Sequence, residues 1–175
     1  MKLGKDFFSR NAGDVARKLL GKVLCRKKSG KILKAKIVET EAYFDERDPA
    51  SRACKSGDLK ETMKMRGSTI LVYGVHNQWL VNFVTGKEGK AEAVLLRALE
   101  PLNFKRRCNG PGLLTKALSI NKEFHKKDIC KCNEIWVEDN NEKLDIVKRK
   151  RIGVKEDLNE KLRFYIKDNS YISKK

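Results

Sequence analysis

From Ile32 to Tyr43 the chain reads as one long β-strand, and its last seven residues, Ile37-Val38-Glu39-Thr40-Glu41-Ala42-Tyr43, put two carboxylates on it. Lys22-Val23-Leu24-Cys25-Arg26 reads as a preceding strand and Lys28-Ser29-Gly30 as the turn between them, so the pair forms a hairpin. Side chains of a strand alternate, which places Ile37, Glu39, Glu41 and Tyr43 on one face. Two acids on the apolar side of a strand are costly to bury without partners, so that face is expected to line a cleft. The formal charge of +17 surrounds these acids with cations. Nearby cations favour the ionised carboxylate, and an ionised Glu is a ready general base.

The length of 175 residues implies one domain covering 1–175, large enough for a real core. Apolar residues at 40% and charged residues at 36% fit a soluble globular protein and exclude a disordered one. No apolar run reaches the ~20 residues of a membrane span, and Met1-Lys2-Leu3-Gly4-Lys5-Asp6 lacks the apolar region of a signal peptide. The expected location is cytoplasmic and nucleoid-associated in a prokaryote, or nuclear in a eukaryote. Lys and Arg number 40 against 23 acids and gather in Arg26-Lys27-Lys28, Lys105-Arg106-Arg107 and Lys148-Arg149-Lys150-Arg151. Three such clusters favour a polyanionic partner. The five cysteines are odd in number and irregularly spaced, which is no disulfide framework. Cys130-Lys131-Cys132 with His125 upstream is too closely spaced for the usual zinc pattern, so neither a metal nor a cofactor is expected.

Asp6-Phe7-Phe8 and Val15 to Leu20 read as an amphipathic helix ending at Gly21. Asp45 to Met65 reads as a long polar loop. Thr69–Tyr73 and Trp79–Val84 read as strands joined by a five-residue tip, Gly74-Val75-His76-Asn77-Gln78. Ala93–Leu99 is a further strand, and Pro111–Leu118 has helical spacing with Asn109 as its cap. Strands are also expected at Glu134–Val137 and Leu162–Ile166. Many strands with few, irregularly placed helices predict an α+β domain. Its sheet would be antiparallel or mixed, with flanking helices and a protruding β-hairpin.

Val38-Glu39-Thr40-Glu41-Ala42-Tyr43 resembles the characteristic strand of the alkyladenine (3-methyladenine) DNA glycosylases. Leu19-Leu20-Gly21-Lys22-Val23-Leu24 precedes it, and Asp48-Pro49-Ala50-Ser51, Leu95-Leu96-Arg97-Ala98-Leu99-Glu100-Pro101, Asn109 to Leu118, Arg151-Ile152-Gly153-Val154 and Leu162-Arg163-Phe164-Tyr165 follow in the family's order. The resemblance implies a monofunctional glycosylase that flips a damaged purine out of duplex DNA and hydrolyses its N-glycosidic bond. Alkylated adenine, hypoxanthine and ethenoadenine are the implied substrates, and double-stranded DNA bearing one is the implied partner of a monomer. Glu41 matches the family's catalytic acid. Arg97 and the main-chain carbonyl of Ile152 match the groups that hold its water. Tyr43 and Tyr73 match aromatics that stack on the flipped base, and Asn82 an asparagine that would collide with the amino group of guanine. Glu39 is the rival base, because two carboxylates could also work as an acid and base pair.

Two positions depart from the family. Arg52 stands where it usually has His, which implies a tilt towards uncharged lesions because a guanidinium repels a cationic base. The hairpin tip lacks the family's intercalating Tyr, leaving His76, then Val75, as the wedge that fills the vacated stack. Lys105, Arg106 and Arg107, with the helix start at Gly110 and Gly112, are expected to meet DNA phosphates. A non-enzymatic lesion-binding module remains the alternative reading. A metal-dependent nuclease ligated by Glu39 and Glu41 is another, and a Schiff-base lyase step is a third.

Overall fold

The computed structural model describes residues 1–174. Its spine is the carboxylate-bearing strand, β2 (Lys31–Tyr43), preceded by β1 (Val23–Lys28). β2 is long enough to serve two neighbours on one edge. Residues 31–36 pair with β1, and 39–41 pair with β8 (Arg163–Ile166). Its other edge pairs with β5 (Ala93–Pro101) from Ala35 to Tyr43. β3 (Ile70–Val75) and β4 (Gln78–Val84) extend the sheet beyond β5, β6 (Ile135–Glu138) extends it beyond β1, and β7 (Ile146–Arg149) lies outside β8. Every described pairing is antiparallel, so the expected α+β fold is observed without parallel strands.

Helices cover this sheet where their apolar faces demand it. The expected N-terminal helix is two, α1 (Lys5–Phe8) and α2 (Ala12–Leu19). Asn11 breaks it because its side chain accepts the Asp14 N–H at 3.0 Å and caps a new helix start. α2 buries Ala12, Val15, Ala16 and Leu19, and Thr40 of β2 donates its hydroxyl to the Ala16 carbonyl at 2.8 Å. The segment read as a loop holds a 3-10 turn at Arg52–Cys54 and a helix, α3 (Asp58–Met63), whose short apolar face escapes a periodicity reading. α4 (Pro111–Leu118) starts at Gly110 with no side-chain cap, so Asn109 is not the cap expected of it; Pro111 instead presets the first turn.

The β3–β4 tip is tighter than expected. Only His76 and Asn77 lie outside the strands, and both have positive φ, 48° and 60°, the arrangement of a two-residue turn. β7, which the sequence pattern did not mark, is a four-residue strand with two exposed Lys and Arg side chains. Its pairing depends on β8 and not on a buried face of its own.

Candidate active site

β2 loses its simple alternation beside β5. Ile37 faces Leu99 and Glu39 faces Ala98, which leaves Val38 unmatched; Thr40 then faces Leu96, which leaves Arg97 unmatched. The two irregularities locally re-aim side chains, as bulges do next to functional sites. Val38, Glu39, Thr40, Glu41 and Ala42 all have no exposed surface, so both faces of this stretch are interior. From Glu39 onward the alternating residues do meet. Arg97 reaches both acids, Nε lying 3.6 Å from Glu39 Oε1 and Nη1 3.4 Å from Glu41 Oε2.

Glu41 has three donors. The Tyr43 hydroxyl donates to Oε2 at 2.7 Å, the Ile152 N–H to Oε1 at 2.7 Å, and Arg97 completes the set. The Ile152 backbone thus meets Glu41 through its amide. Surrounding charge favours the ionised form of Glu41, but burial acts against it. Burial raises its pKa above the ordinary carboxylate value, and Arg97, the Ile152 N–H and the Tyr43 hydroxyl lower it only in part. Tyr43 is itself pushed well above the usual phenol range, by burial first and then by Glu41, so it remains an O–H donor.

Glu39 is bound differently. Arg163 Nε donates to Oε1 at 2.6 Å, the Ser173 N–H to Oε2 at 2.5 Å, and the Ser173 hydroxyl to Oε1 at 3.0 Å. Local patterning could not reveal Ser173, because its partner lies 134 residues earlier in the chain.

Next to Glu41, Tyr43 forms part of a narrow slot, with about 10 Å³ of free volume, lined also by Ala50, Arg52, Met63, Leu71, Tyr73, Asn82 and Ala93. The structure therefore brings Tyr43, Arg52, Tyr73 and Asn82 together. Arg52 lies over Tyr73, its Cζ 4.9 Å from the ring centre. Asn82 is buried and donates to the Leu71 carbonyl at 3.3 Å. Behind Tyr43, Arg151 sits 4.6 Å from the ring and makes two 2.7 Å bonds to Asp48. Asp48 also accepts the Phe44 and Ala50 N–H groups, which holds the loop carrying Ala50 and Arg52. Burial opposes the Arg151 charge, but its bonds to Asp48 and Asp157 more than offset that, and it stays protonated.

The basic clusters lose two members to the interior. Arg151 is buried as described, and Arg26 is buried over Phe124 with its guanidinium donating to the Lys27 and Glu134 carbonyls. Lys105, Arg106 and Arg107 remain exposed, and among the described residues none of them has an acidic partner. Gly110 opens α4, while Gly112 is buried where a Cβ would lie 1.7 Å from Gln78 Oε1. Close approach of α4 to the β3–β4 hairpin is thus sufficient reason for that glycine. His76 is exposed and Val75 half-buried at the tip, and Trp79, unremarked in the sequence, is 38% exposed on the same hairpin. His125, grouped above with the cysteines, instead accepts the Val72 N–H and meets Asp58.

The description of the methylpurine-DNA glycosylases (MPG) matches residues 6–170. The chain is 42% identical over 184 residues to a protein of Legionella pneumophila (strain Corby), covering 99% of this chain and 98% of the other. It is 40% identical over 182 residues to one of Aeropyrum pernix, covering 98% and 93%, and 38% identical over 205 residues to one of Clostridium tetani, covering both fully. Each of these relatives bears the name "Putative 3-methyladenine DNA glycosylase". The class is that of the DNA glycosylases, hydrolases of N-glycosyl bonds in DNA repair. Within it, the chain belongs to the methylpurine-DNA glycosylase family.

Proposed function

We propose that the protein excises damaged purines from duplex DNA, everting the nucleotide into the slot between Tyr43 and Tyr73 and releasing the base by hydrolysis at Glu41. The observation that carries this reading is the buried Glu41, fixed by Arg97, Tyr43 and the Ile152 N–H at the margin of a tyrosine-lined slot. A carboxylate deprived of water has a raised proton affinity, which suits it to take a proton from an attacking water. Ionised, it also steadies the positive charge that develops on the sugar. The Ile152 carbonyl and Arg97 would orient that water. Tyr43 and Tyr73 would hold the π-face of the base, and Asn82 would exclude guanine by collision with its amino group.

His76, with Val75 beside it, would fill the gap in the stack. Lys105, Arg106, Arg107 and the backbone at Gly110 and Gly112 would hold phosphates. Arg52 supports a tilt towards uncharged lesions such as hypoxanthine and ethenoadenine over 3-methyladenine. The protein would act as a monomer on double-stranded DNA, near the nucleoid of a prokaryotic cell.

Base release from duplexes carrying one damaged purine, scored in excess chelator, tests the reading. Glu41→Gln should lose at least about a thousandfold in single-turnover rate while still binding the duplex. Release at the wild-type rate by Glu41→Gln would leave the lyase reading standing, and a wild-type protein that binds the damaged duplex without releasing its base would leave the lesion-binding one. Guanidinium and N–H donors already occupy the oxygens of both acids, an arrangement unsuited to metal ligation; loss of activity in chelator would restore the nuclease reading.

A further inference from the structure

We propose that Ser173 and Arg163 are positioning residues that act through Glu39 to aim Arg97 at Glu41, which makes the segment after β8 a working part of the active site. The proposal rests on the reading of Glu41 as the base.

One guanidinium stands between two buried carboxylates that are two residues apart on the same strand. Arg97 lies 3.6 Å from Glu39 and 3.4 Å from Glu41, so it will turn towards whichever acid is less well supplied with donors. Glu39 is supplied by three other donors, all closer than Arg97. Arg163 Nε is 2.6 Å away, the Ser173 N–H 2.5 Å and the Ser173 hydroxyl 3.0 Å. With Glu39 satisfied, Arg97 is left for Glu41.

The Ser173 hydroxyl does more than supply Glu39. It has one proton, and that proton goes to Glu39, so its lone pairs face Arg97 Nε at 3.4 Å. A single oxygen thus donates to one acid and accepts from the arginine shared by both. Its position is held from two sides. Ile172 is buried in the main core, and Arg163 Nη2 donates to the Lys174 carbonyl. Arg163 is itself placed by the short β8–β2 pairing, where it stands directly opposite Glu41.

The four charges balance: Glu39 and Glu41 against Arg97 and Arg163. Around Glu41 stand Arg97 from β5, the Tyr43 hydroxyl and Glu39 from β2, Arg163 from β8 and the Ile152 N–H from the segment after β7. Behind Tyr43 lies the Arg151–Asp48 pair. Losing the Ser173 hydroxyl removes one donor from Glu39 and one acceptor from Arg97. The guanidinium then moves towards Glu39, and Glu41 holds its proton to a higher pH. The base works only when ionised, so activity is present above its pKa and lost below it.

The test uses the full chain and a duplex with one hypoxanthine, with single-turnover base release measured across pH for wild type, Ser173→Ala and Ser173→Thr. Ser173→Ala should lose roughly tenfold to a hundredfold in maximal rate, with half-saturation changed by less than about twofold. Its acidic limb should move up by about one pH unit, and Ser173→Thr should restore both rate and limb. Arg163→Lys should move the limb in the same direction, which keeps the test available if Ser173→Ala folds poorly. A wild-type limb in both Ser173→Ala and Arg163→Lys would overturn the proposal. So would failure of the threonine to restore it. Glu41→Gln run alongside separates the two levels: full activity there defeats the base itself, whereas an inactive Glu41→Gln with an unmoved Ser173→Ala limb defeats only the positioning role.

Discussion

A carboxylate with no exposed surface has lost its hydration shell, and the three donors around Glu41 replace that shell only in part. Its pKa is raised, so the folded protein binds that proton more tightly than the unfolded chain does. Stability from this group is therefore largest at low pH. It declines as pH rises from the ordinary value of 4.5 through the raised one, and the penalty persists above both. Glu41→Gln removes the buried charge while keeping the shape. Relative to wild type, its melting temperature should therefore be more favourable at pH 7 than at acidic pH. A difference from wild type that does not change with pH in calorimetric scans would contradict this account of the site. Arg52 poses the converse problem, an exposed cation with its guanidinium over Tyr73. A cationic base entering the slot meets it at close range, but solvent screening limits the repulsion to about 1 kcal/mol. Arg52→His should accordingly raise the rate on 3-methyladenine relative to hypoxanthine by roughly three- to tenfold at neutral pH. Unchanged relative rates would remove Arg52 from the account of specificity.

The helices contribute to the site mainly by tying down strand ends. The Gly86 N–H donates to the Phe8 carbonyl at 2.9 Å, which joins the end of α1 to the segment after β4. Glu92, just before β5, accepts the Ala12 N–H at the start of α2 at 2.8 Å. Gly67 passes through this junction so closely that a Cβ there would lie 2.5 Å from the Phe8 carbonyl oxygen and 3.0 Å from that of Gly86. Both obstacles are backbone, so no side chain can swing away. Gly67→Ala should cost about 1–3 kcal/mol, several degrees in melting temperature. Gly4→Ala, which meets nothing within 4 Å, should be neutral. Much of the element pattern was legible beforehand. The strands carrying Glu41, Asn82 and Arg97 announce themselves by short apolar runs, and α4 by its Pro111 start. What escaped has physical reasons. The Asn11 cap splits what periodicity joins, β7 has no buried face to mark it, and bulges at Val38 and Arg97 have no composition of their own. The roles of Ser173, Arg163 and Arg151 depend on partners more than a hundred residues away, beyond any local window.

At the scale of the whole molecule the interior is electrically balanced. Among the described residues four arginines, Arg26, Arg97, Arg151 and Arg163, are buried together with four acids, Glu39, Glu41, Asp48 and Glu92. The formal charge of +17 therefore belongs outside the core, where it can act on a polyanion. Lys105, Arg106 and Arg107 are the sharpest test of where it acts, because they are exposed, adjacent in sequence and directly before α4. Each phosphate neutralised releases condensed counterions and adds about 0.9 to the slope of log affinity against log salt. Fluorescence anisotropy on an undamaged duplex should give wild type a steep negative slope. Changing all three residues to Ala should flatten it by roughly 2 to 3, while leaving the base-release rate at saturating enzyme unchanged. An unaltered slope would move the DNA path to another basic face. A lost rate with an unaltered slope would mean that this segment supports Leu99 of β5, whose N–H bonds the Cys108 carbonyl, and not the DNA backbone.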